Sequence, residues 1–501
     1  MNYLPDGGQM KAADQHTIRD LKIPSIVLME RAARACVDFI GEKDFDLSHI
    51  CVVCGSGNNG GDGFAVARML AEKGLKVTVV LAGNPEHFTD EAAYQFSLLE
   101  KTEASVVDQF AADEYSIVID AVFGVGLSRV ITGKYAILLE QMNHSKAIKV
   151  AVDIPSGISA DTGVVMGIAF QADYTVTFQT AKVGLTLEPG KSYAGMLCVA
   201  DIGIDADIFA EDIRVACTLD QSEYIRMLPV RKEDSNKGTY GRLLVIAGSK
   251  GMSGAAYLNA LSAYRMGAGL VRIYTPEVNR AILQQILPEA IVTSYDSYDE
   301  EELIELLSWA DVVCVGSGLG TGEDSVRIMH AVMKHVNVPC VVDADGLNIL
   351  ARNLKYLEQI GDKAFVFTPH MKEFSRLTGK SVEEIRMARM NVLREFTEDH
   401  GVTCVLKDAR TVILSKNGRA YVNLSGTSAL AKAGSGDVLA GMIAALLAQG
   451  LGCSEAALLG VYLHGCAGEC AAEKMGCYSI LARDIADAIG KAVMKQGETK
   501  I

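Results

Sequence analysis

Residues 55–63 read GSGNNGGDG and directly follow the β-branched run Ile50–Cys54. A strand, a glycine-rich turn and then apolar residues at helical spacing (Ala65, Val66, Met69, Leu70, with Gly74 as a stop) predict a β-loop-α unit with its helix over 63–73. Gly55, Gly57 and Gly60 fit G-x-G-x-x-G, in which missing side chains let backbone N–H groups approach a pyrophosphate at a helix N-terminus. The ordinary dinucleotide fingerprint also needs an acid closing the second strand, and here that strand ends VVLAGN, so the fingerprint is incomplete.

Working outward, further strand-like runs at 76–81, 116–122, 148–153, 174–178 and 196–200 alternate with amphipathic stretches, which predicts a parallel sheet covered by helices. Parallel strands bring their C-terminal ends to one edge, so Asp120, Asp153 and Ser156 are expected beside the glycine loop. Gly124 and Gly126 offer a second loop, with Arg129 to meet phosphate; the plainer alternative is that both acids only cap turns. Lys182 either faces the same cleft or is a solvated turn lysine.

The rhythm lapses over 212–227 and restarts with strand-like runs at 242–247, 270–274, 311–315, 340–343, 364–368 and 403–407. Two domains are therefore expected, 1–213 and 221–501, as a 501-residue length also suggests. Two β-rich runs around Asn417-Gly418 signal a hairpin, so the second sheet should end in antiparallel strands. Residues 426–450 read GTSALAKAGSGDVLAGMIAALLAQG. Gly434-Ser435-Gly436 before a long apolar helix would aim N–H groups and the helix dipole at an anion, and Asp437 on the first turn is placed to take a proton from a hydroxyl attacking a phosphoryl group. The alternative is a structural acid at a helix start.

With 49% hydrophobic and 22% charged residues, the chain should bury large cores. Its net charge of -15 argues against nucleic-acid and anionic-membrane partners and favours small molecules. Residues 1–20 lack a cationic stretch followed by an apolar run, and no segment has the ~20 apolar residues of a membrane span, so a cytoplasmic protein is expected. The 12 cysteines mostly sit in apolar runs; Cys51 and Cys54 spell C-x-x-C inside a strand rather than at a helix start, which disfavours redox chemistry. His464 and Cys466 lack metal-ligand spacing and read as core.

In order, GNNGGDG, DAVFGVGL and VAVDIPSGISADTG resemble the epimerase domain of the NAD(P)H-hydrate repair family. The resemblance implies a Rossmann-like three-layer α/β/α domain with substrate loops Asn58, Asn59, Gly60, Gly61, Asp62 and Gly124, Val125, Gly126, Leu127, Ser128, Arg129, Val130. It implies a potassium ion held by Asn59, Asp120 and Ser156, with Asp153 touching substrate as acid/base for the exchange of R and S hydrates. The second half, through residues 236–273, GSGLG at 316–320, DADGLN at 343–348, TPHMKEFSRL at 368–377 and the GSGD turn, resembles the dehydratase branch of the ribokinase-like α/β fold. That implies a hydrate site lined by Ala255 (or its neighbour Gly254), Gly318, His370 and Asp437, and a nucleotide site of Lys407, Asp408, Ala409, Arg410, Thr411 and Gly436. Family members often carry a glycine-rich stretch after the lysine, where this chain has Asp408-Ala409. His370 has the alternative of capping the following helix.

The implied partners are hydrated NADH and NADPH, with ADP or ATP and Mg2+, in a homo-oligomer. Two rivals share these residues: a small-alcohol or vitamin kinase on the same second-domain fold, and a non-catalytic binding module whose first domain senses nucleotides or engages a protein partner.

Overall fold

Alternation of buried residues along the strands decides the architecture of the first half. In the computed structural model, which describes residues 1–497, β1 (Ile50–Cys54) turns Val52 and Cys54 into one core and Cys51 and Val53 into another. A strand buried on both faces needs helices on both, as parallel sheets do. The sheet comprises β1, β2 (Val77–Leu81), β3 (Ser105–Val107), β4 (Ile117–Ala121), β5 (Ile148–Val152), β6 (Tyr174–Phe178) and β7 (Met196–Ala200), in the order β3-β2-β1-β4-β5-β6-β7 and parallel throughout. The strand order reverses between β1 and β4, and ligands of open α/β sheets bind at such a switch point. The strand β3 was not expected from sequence: Ser105–Val107 is short and exposed at the sheet edge.

Helices α1 (Gly7–Arg19), α2 (Ser25–Glu42) and α3 (Asn58–Glu72) supply one apolar layer through Met10, Leu28, Ala33, Phe64 and Leu70. The helix α3 starts five residues before the expected Gly63, because the glycines themselves form its first turn. A Cβ on Gly60 would lie 2.0 Å from the Gly55 carbonyl oxygen, and one on Gly61 2.7 Å from Met29 Cε. Both positions thus serve close packing of the helix start.

Residues Asn2–Cys217 form one compact unit and Thr218 onward the other. In the second, β8 (Arg242–Ile246), β9 (Leu270–Pro276), β10 (Ile291–Tyr295), β11 (Val312–Val315), β12 (Cys340–Val342), β13 (Phe365–Phe367), β14 (Thr403–Leu406), β15 (Val412–Ser415) and β16 (Tyr421–Val422) lie in the order β16-β15-β14-β13-β12-β11-β8-β9-β10. From β10 to β14 the pairs are parallel; β14-β15 and β15-β16 are antiparallel, with Asn417 at φ 55 in the turn. The Asn-Gly hairpin is thus observed. The strand β10, Ile291–Tyr295, is an addition: its residues are half-exposed at the sheet edge and gave no buried pattern to read.

One face of this sheet packs on α4 (Ser253–Arg265), α8 (Ser435–Ala448) and α9 (Cys453–Met475) through Leu243, Val245, Ala260, Ile443 and Leu459. Between them come α5 (Asp345–Arg352), α6 (Met371–Thr378) and α7 (Arg389–His400). Residues Val438–Leu447 of α8 are buried without interruption, as a helix enclosed on all sides requires. No helix among the described residues is long and apolar enough to cross a membrane.

Candidate active sites

The C-terminal ends of β1, β4, β5 and β6 open into a cavity of about 660 Å3. Asn58, Asn59 and Asp62 line it from α3, Gly124 to Arg129 from the loop after β4, and Asp153 and Lys182 from the ends beyond β5 and β6. Gly60 and Gly61 are in the packing roles described above, and Val130 is 59% exposed; none of the three is among the lining residues.

Asp153 has φ 66, the left-handed region that a non-glycine residue enters only under local constraint. The constraint is visible: its N–H donates to the Val176 carbonyl at 2.8 Å, while Oδ1 accepts from Lys182 Nζ at 2.5 Å and Thr177 Oγ1 at 3.1 Å. Lys182, 1% exposed, also donates to Thr177 Oγ1 and the Phe178 carbonyl, so the reading of a solvated turn lysine is overturned. An ammonium in an apolar sheet end is tolerable only with such partners. Asp62 shares the cavity, and burial together with the Asp153 and Asp14 carboxylates pushes it well above the usual carboxylate range.

Asp120 lies beneath the cavity, fully buried. It accepts from Ser156 Oγ at 2.6 Å, Ser156 N at 2.7 Å and Val122 N at 3.2 Å, and burial raises it to about 6. Asn59 Nδ2 is buried without a hydrogen-bond partner, and a Cβ on Gly124 would lie 3.2 Å from Asn59 Oδ1. A buried carboxylate bonded only to neutral donors, beside hydroxyl and amide oxygens, is a donor set that fits a hard cation. Cys51 and Cys54 are fully buried free thiols raised by burial, the opposite of a redox-active environment.

In the second unit, Gly434 takes φ 89 and turns the chain into α8, so that Asp437 sits on the first helical turn. Asp437 is pushed up to about 7 by burial and by Asp343, against the pull of the Ser317 hydroxyl and Lys407. Lys407 Nζ donates to Asp343 Oδ1 at 2.7 Å, and Thr368 Oγ1 donates to the same oxygen at 2.8 Å. A Cβ on Gly436 would stand 3.2 Å from Lys407 Nζ, so this glycine and lysine adjoin. Asn259 Nδ2 holds the Asp437 carbonyl at 2.6 Å and fixes the turn from α4. Gly318 faces Ala255, for a Cβ on Gly318 would be 2.8 Å from Ala255 Cβ.

His370 does cap a helix: its Nδ1 accepts from Lys372 N and Glu373 N, both at 3.1 Å, at the start of α6. Accepting at Nδ1 places the proton of the neutral ring on Nε2. Burial and Lys407 both lower its pKa. The ring is nonetheless half-exposed beside Lys407, with which His370 forms a β-bridge, so capping and facing the site coexist. His464 is buried, with Ser435 Oγ at 3.2 Å from Nε2, as the core reading expected.

Two participants were missed. Asp343 lies within DADGLN, and an acid just past a strand end, as at Asp120 and Asp153, was the available signal. Arg389, 3% exposed, pairs with Asp408 at 2.9 Å, while its Nε and Nη1 are buried without partners. Asp408 Oδ1 also accepts from Ala409 N, so the acid after Lys407 is tied down and neutralised. Arg389→Met should cost about 1–3 kcal/mol in denaturant unfolding, the loss expected when one partner of a largely buried pair is removed.

Two α/β units, each gathering acids around a glycine-opened helix, define a chain with two separate small-molecule sites, the second suited to phosphoryl chemistry. Residues 25–184 match the family model for the YjeF-related protein N-terminus, and residues 243–491 match that for NAD(P)H-hydrate dehydratase. The bifunctional NAD(P)H-hydrate repair enzyme Nnr of Thermofilum pendens is 38% identical over 97% of this chain and 95% of its own length. Its counterpart in Moorella thermoacetica is 37% identical with the same coverage. A ribokinase-like superfamily protein from Enterococcus faecalis superposes with a TM-score of 0.51 at 28% identity, covering 56% of this chain and 96% of its own. The chain belongs to the family of bifunctional NAD(P)H-hydrate repair enzymes.

Proposed function

We propose that the protein returns hydrated NADH and NADPH to use, the first unit interconverting the R and S hydrates and the second dehydrating the S form at the expense of ADP or ATP. The domain limits are 1–213 for the epimerase and 221–501 for the dehydratase. The observation that carries the reading is Asp437: a carboxyl raised to about 7, on the first turn of a helix whose N-terminal amides attract phosphate.

In the second unit Ala255, Gly318 and His370 line the hydrated ring, and Lys407 to Thr411 with Gly436 hold the nucleotide. Asp437 takes the proton of the C6 hydroxyl as its oxygen attacks the terminal phosphorus of the nucleotide, whose bond to the bridging oxygen breaks to release AMP from ADP or ADP from ATP. Cleavage of the C6–O bond with loss of inorganic phosphate, and loss of a proton from C5, then re-forms the C5–C6 double bond of the dihydronicotinamide. The amides at Gly434 to Gly436 hold the charge that develops on the phosphoryl oxygens. The carboxylates of Asp343 and Asp437 would give a magnesium ion oxygen partners, and the ion would supply positive charge against the nucleotide phosphates.

In the first unit Asp153 exchanges protons with the substrate, Lys182 keeps that carboxylate oriented, and Asn58 to Asp62 with Gly124 to Val130 enclose the substrate. Asn59, Asp120 and Ser156 would hold a potassium ion, which supplies positive charge beneath the phosphate loops. Because the dehydratase accepts one epimer, the epimerase makes the whole damaged pool available to it.

The test incubates purified protein with mixed hydrate epimers, ADP and Mg2+. Recovery of reduced-nicotinamide absorbance with stoichiometric inorganic phosphate is expected for both epimers. A stable phosphorylated product without recovery would establish the rival kinase instead.

A further inference from the structure

A hydrated dinucleotide is much longer than its nicotinamide ring, and it carries two or three phosphates. Of the residues assigned above to the ring, Ala255 and Gly318 are uncharged and His370 accepts at Nδ1 with its pKa lowered, while Lys407 of the nucleotide site is paired with Asp343. Yet phosphates brought to an acidic chain of net charge -15 need local counter-charge.

A second cavity, of about 610 Å3, begins beside the Gly316–Gly320 loop and is lined by Thr321, Asp345, Asn348, Ala351, Arg352 and Arg376. It adjoins the Asp437 site. Arg376, on the helix that His370 caps, is close enough to lower the His370 pKa, and Asp345 is close enough to raise that of Asp437. Its one acid, Asp345, accepts from Gly320 N at 2.8 Å through Oδ2, so the two arginines outnumber it. Neither arginine forms an ion pair among the described residues. Arg376 is held by a neutral acceptor, Asn348 Oδ1 at 2.7 Å, which orients the guanidinium without forming an ion pair. Thr321 adds a hydroxyl, and two arginines with a hydroxyl in one groove form a phosphate-binding set.

We propose that this groove is the subsite for the phosphate-bearing arm of the hydrated dinucleotide, with Arg352 and Arg376 as its anion-binding residues. The proposal rests on the dehydratase reading of the second unit. Arg376 reaches it from the same helix whose cap faces the ring, so one element measures the distance between nicotinamide and phosphate.

The experiment measures steady-state dehydration of the S hydrates of NADH and NADPH, each at varied concentration with saturating ADP and Mg2+, for wild type, Arg352→Gln and Arg376→Gln. Arg352 makes no side-chain hydrogen bond among the described residues, so its replacement carries little risk to folding, and it keeps the test decisive should Arg376→Gln disturb the Asn348 contact. The expected result is a KM for hydrate raised roughly tenfold by Arg352→Gln with kcat little changed, and a wild-type KM that climbs with ionic strength more steeply than the variant's. A rise confined to the NADPH hydrate assigns the groove to the 2′-phosphate, and a rise for both assigns it to the pyrophosphate; either supports the subsite. An unchanged hydrate KM in Arg352→Gln, or a rise only in the KM for ADP, overturns it. Failure of the wild-type protein to dehydrate either hydrate would instead overturn the function on which the proposal rests.

Discussion

Asp437→Ala is expected to abolish ADP-dependent recovery of reduced nicotinamide from either epimer, with kcat lowered by a factor of roughly 10²–10⁴, the usual worth of a positioned general base. Asp437→Asn should do nearly the same, because it keeps the shape of the turn and removes only the basicity. A base must be deprotonated to act, so wild-type activity should rise with pH through about 7, the value to which burial and Asp343 push this carboxyl. The same shift acts on stability. An aspartate ordinarily titrates near 3.8, and raised to about 7 it binds its proton more tightly in the folded protein than in the unfolded chain. Stability is therefore greatest below about 4 with respect to this group, and falls as the pH climbs from about 4 to about 7. Asp437→Asn should consequently melt at a higher temperature than wild type at about pH 8, with a smaller difference at about pH 5. A stable, inactive Asn variant is the signature of a site strained for function. Retention of dehydratase activity by both variants would remove the carboxylate from the mechanism.

Asp153→Ala should leave the R hydrate recovering no faster than by spontaneous epimerisation, while the S hydrate is dehydrated at the wild-type rate. The separation follows from the two sites lying in different compact units, each with its own core. Lys182→Met should impair the same step and also destabilise the first unit. It leaves the Asp153 carboxylate buried without its ammonium, and breaking a buried pair from one side costs about 3–5 kcal/mol. The double variant Asp153→Asn with Lys182→Met should regain much of that stability and none of the epimerase activity, since no unpaired charge remains. Enzymatic repair of the R hydrate surviving in Asp153→Ala would refute the epimerase assignment.

Legibility in the sequence followed burial. Strands such as Ile50–Cys54 and Val312–Val315, enclosed on both faces, stand out as apolar runs, and Asn417-Gly418 announces its hairpin because that turn demands residues tolerant of positive φ. The edge strands Ser105–Val107 and Ile291–Tyr295 were silent, for exposed positions impose no pattern on residue type. Within the sites, Asp120, Asp153 and Asp437 were readable because each sits at a strand end or helix start. Gly60 and Gly61 pack closely against Gly55 and Met29, a role the sequence did not reveal, since a glycine that admits a ligand and a glycine that admits its own neighbouring chain look alike in sequence.

By itself the sequence determined two α/β sheets, parallel but for the hairpin that ends the second, their glycine-opened helix starts, and which acids end on one sheet edge; these follow from local periodicity and from the rule that parallel strands share an edge. Only the tertiary structure decided that Lys182 is buried against Asp153, that Lys407 is shared between Asp343 and the GSGD turn, and that Arg389 neutralises Asp408. Those pairings join residues 29, 64 and 19 positions apart along the chain. A charged side chain's partner is fixed by packing in three dimensions, and no local periodicity encodes it.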